Sequence, residues 1–161
     1  LIGFLFLVSF LSYFYNWQSD QSTLEAFFDR NVQSQNILNK LGALTAHFFI
    51  YQLFGFSAFI IPCLLGYTGL VLFFSLNKKR ILHQWSWALC YMTCLMIFLG
   101  FYQENNPILS GLVGFEVNDF LVSYLGRTGL MSILVFTIIF ILVVQWGLTP
   151  EKLVHFFKFL F

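Results

Sequence analysis

Charge is what this sequence has least of. Of 161 residues only 7 are Asp or Glu and 8 are Lys or Arg, 9% in all, where soluble domains carry about 25%. Hydrophobic residues make up 59%, and mean hydropathy is +0.81. That balance excludes a soluble globular domain and describes a polytopic membrane protein. The net charge of +1, spread without a basic patch, excludes phosphate-backbone binding by this chain. Cysteine is also scarce. Its 3 residues, Cys63, Cys90 and Cys94, form no C-x-x-C pair and sit inside apolar runs, so they read as small buried hydrophobes rather than redox centres. His47, His83 and His155 lie in different segments with no second ligand at i+3 or i+4, which excludes a metal site built on one helix. The two nearer ones read as snorkelling polar residues. No phosphate loop or nucleophile elbow occurs, so neither catalytic residues nor a cofactor site is expected.

The longest uncharged stretch is too long. From Leu41 to Leu76 there is no Asp, Glu, Lys or Arg, and a single helix over it would measure about 54 Å against a hydrocarbon core of about 30 Å. Gly55 marks the break. It leaves a short helix over 41–54 and a full span over 56–76. The arrangement recurs: Gly111 to Gly126 forms a short segment, and another apolar span follows.

The fold class is therefore an all-α membrane protein with four transmembrane helices, near 1–16, 56–76, 83–102 and 128–148. Short interfacial or re-entrant helices are expected over 22–34, 41–54 and 115–126. Trp17, Trp85, Trp87 and Trp146 all fall at span ends, where indole prefers the headgroup level. Each half reads as span, loop, short helix, span, with the first spans of both halves running the same way. This is a parallel two-fold repeat.

Lys78, Lys79 and Arg80 form the one cationic cluster between spans, so the positive-inside rule places them, and both termini, in the cytoplasm. The loops at 16–40 and 103–127 then face outward. Ser22 and Glu25 fit a capping box opening an amphipathic helix on the outer leaflet. Over 115–126, Val117, Phe120, Leu121, Tyr124 and Leu125 form an apolar stripe opposite Glu116, Asp119 and Ser123. Glu116 and Asp119 are solvated acids there, and their sharper role would be contact with a partner outside the membrane.

Small residues suggest how the spans pack. Ala58, Pro62 and Gly66 in the second span, with Gly69 one turn on, recur at the same four-residue spacing as Ser86, Cys90 and Cys94 in the third. The two stripes are expected to face each other, with a kink at Pro62. Both ends of the sequence read as cut from a longer chain. Thr149-Pro150-Glu151 starts a basic amphipathic helix through Lys152, His155 and Lys158, the expected beginning of a cytoplasmic linker over 149–161.

The segment NKLGALTAHFFIYQLFGFSAFIIPCLLGYTG resembles the four-helix membrane domain of the FtsK/SpoIIIE DNA translocases, in the style of Bacteroidetes-type members. The residues that carry the likeness are Gly42-Ala43, Phe54-Gly55 and Pro62, then Gly111, Gly114, Gly126 and Gly129 before and into the fourth span. Leu41 stands where many members have a further glycine. The resemblance implies the N-terminal anchor of a cytoplasmic hexameric ATPase at the septum of the bacterial inner membrane, serving cell division and chromosome segregation. Its implied partners are the lipid bilayer, further copies of the chain and divisome membrane proteins. ATP, Mg2+ and DNA would engage only the motor domain, outside this sequence. The competing expectation is a small four-helix subunit of a transporter or channel. The lack of charge within the spans argues against it.

Overall fold

The computed structural model describes residues 1–103 and 106–146. The linker helix expected over 149–161, and the last residues of the fourth expected span, lie outside the described residues. Every regular element among the described residues is helical. They are α1 (Ile2–Leu24), α2 (Asn39–Ala46), a π-helical segment (His47–Phe54), a 3-10 segment (Gly55–Phe59), α3 (Ile60–Phe73), α4 (Lys79–Gly100) and α5 (Gly111–Trp146). The chain divides into two units, Leu1–Phe120 and Leu121–Phe161, and α5 passes from the first into the second.

Three helical stretches are long and apolar enough to cross a bilayer: Asn39–Phe73, Lys79–Gly100 and Gly111–Gln145. The remaining apolar run forms the first part of α1. Its polar continuation changes direction at Asn16, whose φ of −118° and ψ of 19° are not helical. The Ser19 hydroxyl takes up the Asn16 carbonyl at 2.9 Å, one of the acceptors that such a break releases.

The amphipathic helix expected over 22–34 does not form. α1 ends at Leu24, with Glu25 as its C-cap, and the Ser22 hydroxyl donates back to the Ser19 carbonyl at 2.8 Å. Ser22 therefore closes a helix rather than opening one. The residues that follow run as turns, with their carbonyls gathered by one cation. The Lys40 ammonium donates to the carbonyls of Ala26 at 3.1 Å and Phe27 at 3.0 Å, and also to that of Asp29.

The break near Gly55 is real and sharper than a loop. Gly55 has φ +59° and ψ −140°, a region closed to side chains with a Cβ. The π-helix before it and the 3-10 segment after it spread the change of direction over 47–59. Pro62 makes no kink, because it sits in the first turn of α3, where its missing N–H would have no intrahelical partner anyway.

The small-residue stripes do not face each other. A Cβ on Gly3 would lie 2.9 Å from both the Pro62 carbonyl oxygen and the Gly66 nitrogen, so the close approach on α3 is made by α1. Gly66 and Gly69 themselves have open space where their Cβ atoms would be. On α4 the buried positions are Ala88, Met92, Met96, Ile97 and Gly100. Ser86 is exposed and bonds its own helix at Leu82, while Cys90 and Cys94 are half-buried. α3 and α4 still meet, through Trp85 Nε1 donating to the Thr68 hydroxyl at 3.0 Å. The buried Met96 packs instead against Gly114 of α5.

Within α5, Gly126 (φ +69°, ψ 160°) interrupts the helix, the second-half counterpart of Gly55. The short helix expected over 115–126 starts earlier, at Gly111. Of its expected apolar stripe, Val117 and Leu121 are half-buried and Phe120, Tyr124 and Leu125 are exposed, while the buried positions are Gly111, Gly114 and Asn118. In lipid an apolar face needs no protein cover, and small or hydrogen-bonding residues make the contact instead.

Gly55→Ala and Gly111→Ala should each destabilise the protein by about 1–3 kcal/mol from backbone strain alone, with the steric conflict added. Gly66→Ala should stay within about 0.5 kcal/mol. Thermal unfolding in detergent, followed by circular dichroism, checks the contrast.

Candidate functional site

The most elaborated part of the structure is the folded region at the ends of α1 and α4 remote from Lys79. It begins with a buried polar lock. Asn36 donates through Nδ2 to the Ser9 carbonyl at 3.0 Å, and its backbone N–H donates to Asp20 Oδ1 at 3.0 Å. Ser9 and Asp20 are eleven residues apart in sequence, about 16 Å along a straight helix. One residue reaches both, across the change of direction that α1 makes at Asn16. The Ser9 hydroxyl then donates to the Gly42 carbonyl at 2.7 Å, and the Ile37 N–H donates to the Ser12 hydroxyl at 3.1 Å.

Ser9, Ser12, Asp20 and Asn36 are all buried, so each bond replaces water that burial removed. Asp20 also accepts from the Ser34 hydroxyl at 2.6 Å, and its Oδ2 is buried with no partner. Gly42 is required here for space. A Cβ at that position would collide with the Asn36 amide and come 2.6 Å from the Leu38 Cβ.

From the lock, the short helix climbs alongside α1 instead of lying flat. Gly42 meets Ser9, His47 meets Tyr13 and Tyr51 meets Trp17. The partners advance together, so the two strands of helix are parallel. His47 is not snorkelling. Its Nδ1 pairs with the Tyr13 hydroxyl at 2.8 Å, and its ring stacks on Tyr51 with centroids 4.9 Å apart. Phe10, Tyr13, Ala46, Ile50, Ala58 and Ile108 form the apolar core beneath.

The second half repeats the device. Asn118 is buried and donates through Nδ2 to the Ile97 carbonyl at 2.7 Å, while a Cβ on Gly114 would touch Met96 at 3.1 Å. Again a short segment rises parallel to the end of the preceding helix, held by a small residue and an asparagine amide. The two halves then meet at their glycines. A Cβ on Gly111 would lie 2.7 Å from the Gly55 nitrogen and 2.8 Å from the Ile50 carbonyl. The Phe56 N–H donates to the Leu109 carbonyl at 2.8 Å. Backbone touches backbone at this junction.

A family model described as the 4TM region of DNA translocase FtsK/SpoIIIE matches residues 1–158. The chain belongs to that family. No curated protein and no solved structure matches it. The residues through which the sequence resembles the FtsK/SpoIIIE 4TM region divide by their surroundings. Gly42, Ala43, Gly55, Pro62, Gly111 and Gly114 are buried, and Phe54 is half-buried against the apolar core. Gly126 has open space around it, so its positive φ alone calls for glycine, and Gly129 meets only Leu125 at 3.5 Å. Lys78, Lys79, Arg80, Glu116 and Asp119 are exposed.

Sequence reasoning passed over Asn36, Asp20 and Asn118. Asp20 is buried because Ser34 and Asn36, from a distant segment, close over it. Among the described residues, this 4TM region gathers no three His, Cys, Asp or Glu that could hold a metal ion. What it builds is a rigid, hydrogen-bonded platform.

Asn36→Ala should cost about 1–3 kcal/mol, because the buried Ser9 carbonyl loses its donor. Asp20→Ala should cost a similar amount, and Asp20→Asn distinctly less, since the amide oxygen can still accept from Ser34 and Asn36. Unfolding midpoints of the three variants in one detergent give the order.

Proposed function

We propose that this domain is the N-terminal membrane anchor of a septal DNA translocase, tethering a cytoplasmic hexameric ATPase motor to the bacterial inner membrane. The family match over residues 1–158 carries the reading. Three features support it. The chain has helices able to span a bilayer, a cationic turn at Lys78, Lys79 and Arg80 suited to the cytoplasmic face, and a platform held by packing rather than built around chemistry. ATP hydrolysis and DNA engagement belong, in this reading, to the motor and not to this region. The platform, with exposed Glu116 and Asp119 on α5, is the surface offered to divisome membrane proteins.

Two measurements test the proposal. Alkaline phosphatase should be active when fused after Gln33 or Asp119 and inactive when fused after Lys79. In the parent translocase, exchanging this region for an unrelated four-span domain should keep the motor in the membrane but disperse it from the septum. A chimera that still gathers at the septum and supports chromosome segregation would show that the anchor contributes only membrane attachment.

A further inference from the structure

The charges of the first unit are sorted by end. Lys78, Lys79 and Arg80 lie where α3 and α4 are joined, and all three are exposed. The acids lie far from them. Asn118, between Glu116 and Asp119, bonds the Ile97 carbonyl, about 27 Å along α4 from Lys79. Asp20 shares Asn36 with Ser9. Phe10, next to Ser9, packs on Phe59 with ring centroids 5.8 Å apart, and Phe59 is about 21 Å along the helix from Phe73. Glu25 and Asp29 stay on that side, since Lys40 holds the Asp29 carbonyl as well as lying two residues from Gly42, which bonds Ser9. Among the described residues, no carboxylate is within reach of the basic turn.

Two helices fix the level of that turn. Trp85 Nε1 donates to the Thr68 hydroxyl at 3.0 Å. Thr68 is five residues from Phe73 and Trp85 six from Lys79, so both helices stop at the same height to within about 2 Å. α4 has 22 residues, about 33 Å, which matches the hydrocarbon core of about 30 Å. Its Lys79 end therefore sits at one boundary of that layer. Phe73 is 82% exposed, Phe74 62% and Leu82 76%. Apolar side chains beside unpaired cations suit acyl chains on one side and headgroups on the other.

One face of α4 concentrates the donors. Lys79, His83 and Trp87 recur at spacing four with Arg80 alongside, opposite the buried Ala88 and Met92. His83 is exposed, and its Nε2 accepts from Trp87 Nε1 at 3.0 Å. Neutral His83 therefore carries its proton on Nδ1, a further donor. We infer that this face binds an anionic phospholipid. The Arg80 guanidinium and Lys79 ammonium hold the phosphate, His83 Nδ1 donates to it, and the Trp87 indole lies at the glycerol level. Guanidinium and phosphate pair by charge-assisted, bidentate hydrogen bonds, and a basic cluster at a span end draws negative headgroups. Selectivity follows from the sorting of charge. An ethanolamine ammonium would meet three cations and no carboxylate of the described residues, whereas a glycerol headgroup brings no positive charge. The site needs only a bilayer around α4 and does not rest on the anchor reading.

Native mass spectrometry of the detergent-solubilised chain tests it, in parallel titrations with phosphatidylglycerol and phosphatidylethanolamine of identical acyl chains. The chain should retain phosphatidylglycerol about tenfold more strongly, the factor expected for one charge-assisted bond. Lys79→Gln and Arg80→Gln combined should remove that preference. Arg30→Gln, which removes an exposed cation on the far side, should leave it intact. Equal retention of the two lipids by the parent chain, or a preference that survives the double substitution, overturns the inference. A loss matched by Arg30→Gln would show that only net charge counts, and overturns it equally. All three substituted residues are exposed, so the variants should keep the parent's unfolding midpoint.

Discussion

The structure depends on one backbone contact. Gly55 and Gly111 both take positive φ and approach until a Cβ on either would overlap the other's main chain. That approach lets the turn before α5 drop Ile108 into the core of Phe10, Tyr13, Ala46, Ile50 and Ala58. It also aligns the Phe56 N–H with the Leu109 carbonyl. A hydrogen bond between two helix breaks answers the physical problem that breaks create, namely polar groups without intrahelical partners in an apolar setting. Larger residues at either glycine would separate the halves and strand those groups.

Around the junction, each half solves the same packing task with the same chemistry. A short helical segment rises parallel to the end of a preceding helix, and a small residue allows the approach. A buried asparagine then ties it down: Asn36 to the Ser9 carbonyl in one half, Asn118 to the Ile97 carbonyl in the other. Lipid offers no hydrophobic drive for helix association, so hydrogen bonds and close contact must supply it. The π-helix over His47–Phe54 belongs to this logic. It carries His47 and Tyr51 past Tyr13 and Trp17 and ends at Gly55, whose N–H bonds the Ile50 carbonyl.

This arrangement bears on function through what it leaves free. The amide, hydroxyl and carboxylate groups with most chemical potential are spent inside the platform, on Asn36, Ser9, Asp20 and Asn118. The outward-facing groups are aromatics, aliphatics and a few charges, which suit lipid and protein contact.

Much of this was legible in residue type alone. The scarcity of charge determined a membrane protein, the excess length of Leu41 to Leu76 demanded a break, and glycine named its place, because only glycine adopts φ near +60° without strain. The echo at Gly126 followed by the same reasoning. Partner choice was not legible. Spacing of four put Pro62 and Gly66 on one face but could not say whether α1 or α4 would fill it, and Gly3 did. The capping-box pattern at Ser22 was outweighed by the continuation of α1 past the kink at Asn16 to Leu24. Burial of Asp20, and its bonds to Ser34 and Asn36, came only when distant segments were brought together. Local periodicity is a property of one helix, whereas contact is a property of two, and only the tertiary structure holds both.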